Sequence, residues 1–208
     1  MEELFATASE AVAAELSVAD RVALVTGAGA GLGRAAALLL ASRGARVALA
    51  DIRPERVDEA VAAARAAGHE AVGVVGDVAD PAELQRAIDA AVEAYGRLDL
   101  MISAAGVIHV IPFLEVSPEE YRRLIAVNVD GTFFGTQLAA RQMIKQGRGS
   151  DGLAGRIVNV TSPSAEGNSD NQTAYAMSKA AVNRLTGGAA AALYRQHGIV
   201  VGALKPYG

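Results

Sequence analysis

Tyr175 and Lys179 lie four residues apart in a stretch of helical character, so their side chains share one helix face. A free phenol titrates at about pH 10, too high for a general base at neutrality. A neighbouring ammonium favours the phenolate and brings that value down, toward the range where acid-base catalysis works best. Such a pair can exchange a proton with an alcohol oxygen. The spacing alone is weak, because a tyrosine on an apolar helix more often packs in a core. Its company strengthens it. A β-branched run upstream ends in Thr161 and Ser162, and hydroxyls at the carboxyl end of a parallel strand face the ligand crevice. Ser162 is placed there to hydrogen-bond a substrate oxygen, the simpler reading being a turn residue.

Far upstream, residues 22–34 run from an apolar strand through four glycines into a helix. The glycines fit G-x-G-x-x-G in no register. Gly27, Gly31 and Gly33 fit G-x-x-x-G-x-G, with Leu32 between the last two. Their physical roles are a tight turn, close backbone approach to a ligand, and close helix-strand packing. Backbone amides and the positive helix end can then receive a pyrophosphate. A merely flexible turn is the bland alternative, but a second strand ends in an acid, Asp51, at about the expected distance. A carboxylate there accepts hydrogen bonds from both adenosine ribose hydroxyls and repels a 2′-phosphate. This favours NAD over NADP, although Arg53 lies two residues on. Gly76, Asp77 and Val78 close a third strand, where Asp77 serves either an adenine edge or a turn.

The elements that must position these residues alternate. Strands are expected over 22–26, 46–51, 71–77, 98–103, 156–161 and 199–204. Most are near-continuous apolar runs, as parallel strands covered on both faces require. Asp80 before Pro81 gives one helix a cap and a proline start. Ser117, Pro118, Glu119 and Glu120 give another the reciprocal capping box. The pattern predicts an α/β fold, a doubly wound parallel sheet with right-handed crossovers; the expected form is the Rossmann type, strand order 3-2-1-4-5-6, in three α/β/α layers. Residues 1–19 are expected as a helical extension, 20–208 as one NAD-binding catalytic domain, and 146–155 as a solvent loop.

Composition narrows the function. With 208 residues, 51% hydrophobic and 20% charged, the chain can build a sizeable core. A net charge of -4 gives no general affinity for polyanions, so no nucleic-acid partner is expected. Cysteine is absent, which removes disulfides, thiolate metal sites and a cysteine nucleophile. His69, His109 and His197 are scattered, so no metal site is expected. Glutamates stand where a secretory signal would be basic, and no apolar run reaches bilayer length. A soluble cytoplasmic protein without membrane contact is the expectation.

Taken in order, Thr26, Gly27, Gly31, Gly33, Asp51, Gly76, Asp77, Val78, Asn128, Gly131, Ser162, Tyr175 and Lys179 resemble the short-chain dehydrogenase/reductase family from about residue 22 onward. The resemblance implies an NAD-dependent interconversion of a secondary alcohol and a ketone. It makes Tyr175 the general acid/base and gives Ser162 the substrate oxygen. Lys179 would hold the nicotinamide ribose and lower the tyrosine pKa. Asn128 would hold a water relaying protons from Lys179, and Thr26 would help fix the central strands. Ala105 and Gly106, with Leu32 and Val78, would line the cofactor. The substrate would be a small alcohol or ketone, touched by residues among His109, Val110, 163–172 and Tyr207.

Two departures stand out. Where the family shows two asparagines before alanine and glycine, this chain has Ser103 and Ala104 before Ala105 and Gly106; Ser103 is expected to replace part of the lost hydrogen bonding. Family members also continue past the position of Gly208 with a substrate-covering loop, a helix and a seventh strand, so 208 is expected to be a truncation point. A homodimer or homotetramer is expected through helices spanning 118–145 and 173–196, the dimer being the safer form. The competing reading is a non-catalytic dinucleotide-binding or assembly module of the same fold.

Overall fold

The computed structural model describes residues 17–167 and 170–206. The helix expected over 2–19 falls almost wholly outside the described residues, as do Asn168, Ser169 and Tyr207. Six strands form one parallel sheet: β1 Val22–Thr26, β2 Arg46–Asp51, β3 Ala71–Val75, β4 Leu100–Ser103, β5 Gly155–Val160 and β6 Ile199–Leu204. Their order is β3-β2-β1-β4-β5-β6, the order expected for a Rossmann-type sheet. The crossovers are α1 Gly31–Ser42, α2 Pro54–Ala66, α3 Pro81–Tyr95, α4 Pro118–Ile125, α5 Gly131–Gln146 and α6 Thr173–His197. A π-helical turn, Ala126–Asp130, joins α4 to α5. The long helix expected over 118–145 is therefore interrupted at the residues where Asn128 lies.

Strand alternation sorts the core into two layers. Ala23, Val25, Val47 and Leu49 pack with Ala37 and Ala41 of α1 and Ala60 and Ala64 of α2. Leu24, Met101 and Ile157 face the other way, onto Ile88 of α3 and Met143 of α5. Each fully buried Leu or Ile contributes about 1.5–3 kcal/mol, and alanine on the facing helices lets the layers approach closely. The helix starts read from sequence are present. Asp80 Oδ1 accepts from Ala82 N at 2.8 Å, and Ser117 and Glu120 make both bonds of the capping box.

At the amino ends of the strands a charged cluster pins the sheet. Buried Asp99 accepts from Val22 N at 3.0 Å and from Arg97 Nε at 2.7 Å. Asp151, in the loop expected to be solvent-facing, accepts from Arg156 Nη1 at 2.8 Å and pairs with Arg21 at 3.0 Å. The desolvated Asp151 is nevertheless held below its ordinary carboxylate pKa by Arg156, the Leu153 amide and Arg21. Asp99→Ala leaves Arg97 and the first amide of β1 without an acceptor. The expected loss is about 2–4 kcal/mol, read as a lower urea midpoint at unchanged m-value.

Candidate active site

The loop after β1 turns back on itself because Gly27 adopts φ +67° and Gly31 φ +53°. Side chains would not fit its close approaches. A Cβ on Gly27 would stand 2.7 Å from Ala105 Cα, and one on Gly33 would stand 2.2 Å from the Gly27 carbonyl oxygen. Helix α1 starts here with no side-chain cap and no acid in its first turn. Its leading amides and the positive end of its dipole thus open into a cleft of about 410 Å³. Of the residues read as cofactor-binding, Gly27, Gly31, Leu32, Gly33, Asp51, Asp77, Val78, Ala105 and Gly106 all line this cleft.

The two carboxylates among them also make structural bonds. Asp51, at the end of β2, accepts from Gly29 N at 3.0 Å and from Arg53 N at 3.1 Å. Asp77 closes a turn by accepting from Ala79 N at 2.9 Å, while its own amide is held by Glu83. Asp77 is thus a turn residue that also lines the cleft. Thr26 ties β1 to the end of β4, donating to the Ile102 carbonyl at 3.5 Å and accepting from Ala105 N at 3.3 Å.

A second cavity of about 440 Å³ brings together the residues read from sequence as acid-base groups. Ser162, Tyr175 and Lys179 line it together, with Thr161 and Val160 beside them. It shares Leu32, Ala104, Gly106 and Val107 with the glycine-loop cleft, so the two spaces meet along one wall. Lys179 is buried, 6% exposed, and donates to the Val160 carbonyl at 3.0 Å. Its Nζ lies 5.8 Å from the centre of the Tyr175 ring. Burial alone pushes the Lys179 pKa below its ordinary value. Ser162 accepts from Ser164 N at 3.2 Å as the cap of a short 3-10 turn, Pro163–Ala165.

Asn128 is fully buried, and its amide clasps Val107 at two points. Oδ1 accepts from Val107 N at 2.8 Å, and Nδ2 donates to Val107 O at 2.9 Å. A Cβ on Gly106 would stand 3.3 Å from Asn128 Oδ1 and 3.5 Å from Lys179 Nζ, so this glycine lies close against both groups.

Some expectations need correction, and some residues were missed. Ser103 replaces none of the lost asparagine bonding: its hydroxyl is buried without a hydrogen-bond partner among the described residues. Gly29 was passed over, yet a Cβ there would stand 2.8 Å from the Asp51 carboxyl carbon. The alternating glycines at 27, 29, 31 and 33 were the available signal. Asn159 was read only as part of a strand. It is fully buried, accepts from Thr136 Oγ1 at 3.3 Å and donates to Thr186 Oγ1 at 3.1 Å.

The short chain dehydrogenase family model matches residues 21–208, and the chain belongs to that family of oxidoreductases. An L-rhamnose 1-dehydrogenase (NAD(P)(+)) of Sphingomonas sp. (strain SKA58) is 40% identical over 89% of this chain and 71% of its own length. A sorbitol dehydrogenase of Cereibacter sphaeroides is 38% identical over 89% of this chain and 69% of its own. Among solved structures, a short chain dehydrogenase/reductase from Burkholderia phymatum in complex with NAD superimposes with TM-score 0.87. It is 33% identical, and the match covers 92% of this chain and 66% of that one. No helix among the described residues is long and apolar enough to cross a membrane.

The buried ammonium gives a test. Below the depressed folded pKa of Lys179 both folded and unfolded chains hold the proton, and the full desolvation cost is present. As pH rises through that value toward 10.5, the unfolded chain binds more protons and the wild type gains stability. Lys179→Met is therefore expected to raise the ligand-free Tm by about 2–5 °C at neutral pH. The advantage shrinks as pH rises through the depressed value toward 10.5, and differential scanning fluorimetry across that range checks it.

Proposed function

We propose that this protein is an NAD-dependent dehydrogenase that interconverts a secondary alcohol and a ketone, acting on one hydroxyl of a small polyhydroxylated molecule. The observation that carries this reading is that Ser162, Tyr175 and Lys179 line one cavity sharing a wall with the glycine-loop cleft. The uncapped start of α1 fits a diphosphate. Asp51, standing in the same cleft, fits the adenosine ribose and supports NAD over NADP. The names of the sugar and sugar-alcohol dehydrogenases among the relatives support the substrate class.

A bound nicotinamide supplies the two-electron hydride acceptor in the oxidising direction and the donor in the reverse. The chain's own residues handle the proton and the geometry. Ser162 holds the substrate oxygen. Tyr175 takes the hydroxyl proton as the carbinol carbon gives up its hydride, and returns it when a ketone is reduced. Lys179 holds the nicotinamide ribose from its anchor on Val160. Asn128 serves the relay through its main chain, because its side-chain amide is engaged by Val107 and Ser178. The Asn128 carbonyl accepts from Thr132 Oγ1 at 2.8 Å, and a carbonyl oxygen can accept more than one donor. Pairing of two copies through α4, α5 and α6 is supported by Tyr121, Phe133, Ile144 and Met177, large apolar residues left exposed on those helices.

Tyr175→Phe is expected to lower kcat by about 10²–10⁴ while leaving NAD affinity nearly unchanged. Single-turnover NADH absorbance with calorimetric NAD binding checks both halves, and normal turnover would remove Tyr175 from the chemistry. Asp51→Ala is expected to shift the NADP-to-NAD affinity ratio toward NADP by about tenfold, about 1.4 kcal/mol. A ratio that stayed put would take Asp51 out of the ribose site.

A further inference from the structure

Helix α6 begins poorly secured for an element that carries Tyr175 in its first turn. Gln172 precedes it without offering a side-chain cap, and no acidic residue lies in the first turn to complement the dipole. Uncapped helix ends fray. Among the bonds that tie its first turns to the rest of the fold are Lys179 to Val160 and, in the interior, a line of bonds through Ser178.

Ser178 is fully buried. Its hydroxyl donates back to the Tyr175 carbonyl at 2.7 Å, and its oxygen accepts from Asn128 Nδ2 at 3.1 Å. The polarity of this chain is fixed. A serine hydroxyl has one proton, and it goes to Tyr175, so Asn128 must present its NH₂ group. That orientation is the one in which Asn128 Oδ1 receives the Val107 amide. An amide flip would break the contacts at both ends, so the network assigns its own rotamer. Val107, at the far end, lines both the glycine-loop cleft and the acid-base cavity. The line of bonds therefore runs from the wall between the two cavities, through Asn128 and Ser178, to the backbone of Tyr175. The central link between Asn128 and Ser178 is buried, where a hydrogen bond competes little with water, and the links at either end are part-buried.

We propose that Ser178 is a positioning residue that locks the first turn of α6 to the cavity wall and so fixes where the Tyr175 phenol stands relative to bound cofactor. The proposal rests on the dehydrogenase reading for its kinetic consequence, but the locking itself is a property of the folded chain. Ser178 touches neither cavity, so its effect passes through Tyr175.

Two variants separate hydrogen bonding from packing. Ser178→Ala removes the donor and acceptor. Ser178→Cys keeps a side chain of similar shape with only weak hydrogen-bonding power. Both are expected to speed amide hydrogen exchange in residues 173–179 by about tenfold, with residues 185–197 unchanged. Both are also expected to lower kcat by about 10- to 100-fold, with KM and NAD affinity nearly constant and the kcat pH profile displaced. Unchanged exchange in both variants would overturn the proposal, as would wild-type kcat in Ser178→Cys, which would leave packing as the sole role. A rise in KM at constant kcat would overturn it too. A wild type inert toward every alcohol and ketone offered would count against the dehydrogenase reading, and exchange would still decide the locking.

Discussion

Lys179 carries an ammonium into the protein where the end of β5, Gly106 and the first turns of α6 meet. No carboxylate pairs with it among the described residues, and the Val160 carbonyl takes one of its protons. An isolated buried cation is costly, and burial drives its pKa down accordingly. The surroundings make that arrangement possible. Gly106 lies close beside the ammonium, and a strand end supplies a carbonyl facing inward. The cost falls on the fold, while the benefit of a cation beside the tyrosine ring and the cofactor wall appears only in function.

The rest of the site follows from where the chain changes direction across the sheet. From β1 it moves outward through β2 and β3, then returns to add β4, β5 and β6 on the other side. The loops after β1 and β4 therefore leave the sheet in opposite directions and open a crevice between them. The glycine loop, Asp51, Asp77, residues 104–107 and Ser162 all follow the carboxyl ends of different strands. One topological feature gathers residues far apart in sequence. The amino ends carry the Asp99 and Asp151 clusters instead, where bonding serves cohesion of the sheet.

Sequence reading succeeded where one residue type has one physical use. β1, β2 and β6 have the bounds their apolar runs suggest. β3 ends two residues early because the Asp77 amide goes to the Glu83 carboxylate, which peels the chain away. β4 starts two residues late because Gln146 takes both the amide and the carbonyl of Leu98. No periodicity reports such long-range side-chain competition. The glycine motif, Ser162, Tyr175 and Lys179 were readable because their spacing encodes local geometry. The Gly29 bond to Asp51 and the clasp between Asn128 and Val107 span 22 and 21 residues, and they exist only once the sheet has formed.

Helix α6 shows what such unread contacts accomplish. Its composition is rich in alanine and includes Gly187 and Gly188, so few bulky side chains key it against its neighbours. Small residues pack closely but define axial position poorly, since sliding by one residue exchanges alanine for alanine. Directional bonds remove that freedom. Ser178 receives Asn128, Lys179 reaches Val160, and Thr186 receives Asn159, three tethers to three separate partners. A slip of one residue would move Tyr175 about 1.5 Å along the axis and turn it by about 100°, displacements that catalysis tolerates badly. Buried polar groups here thus supply the positional uniqueness that a small-residue interface lacks, and they do so on the helix whose register sets where the phenol points.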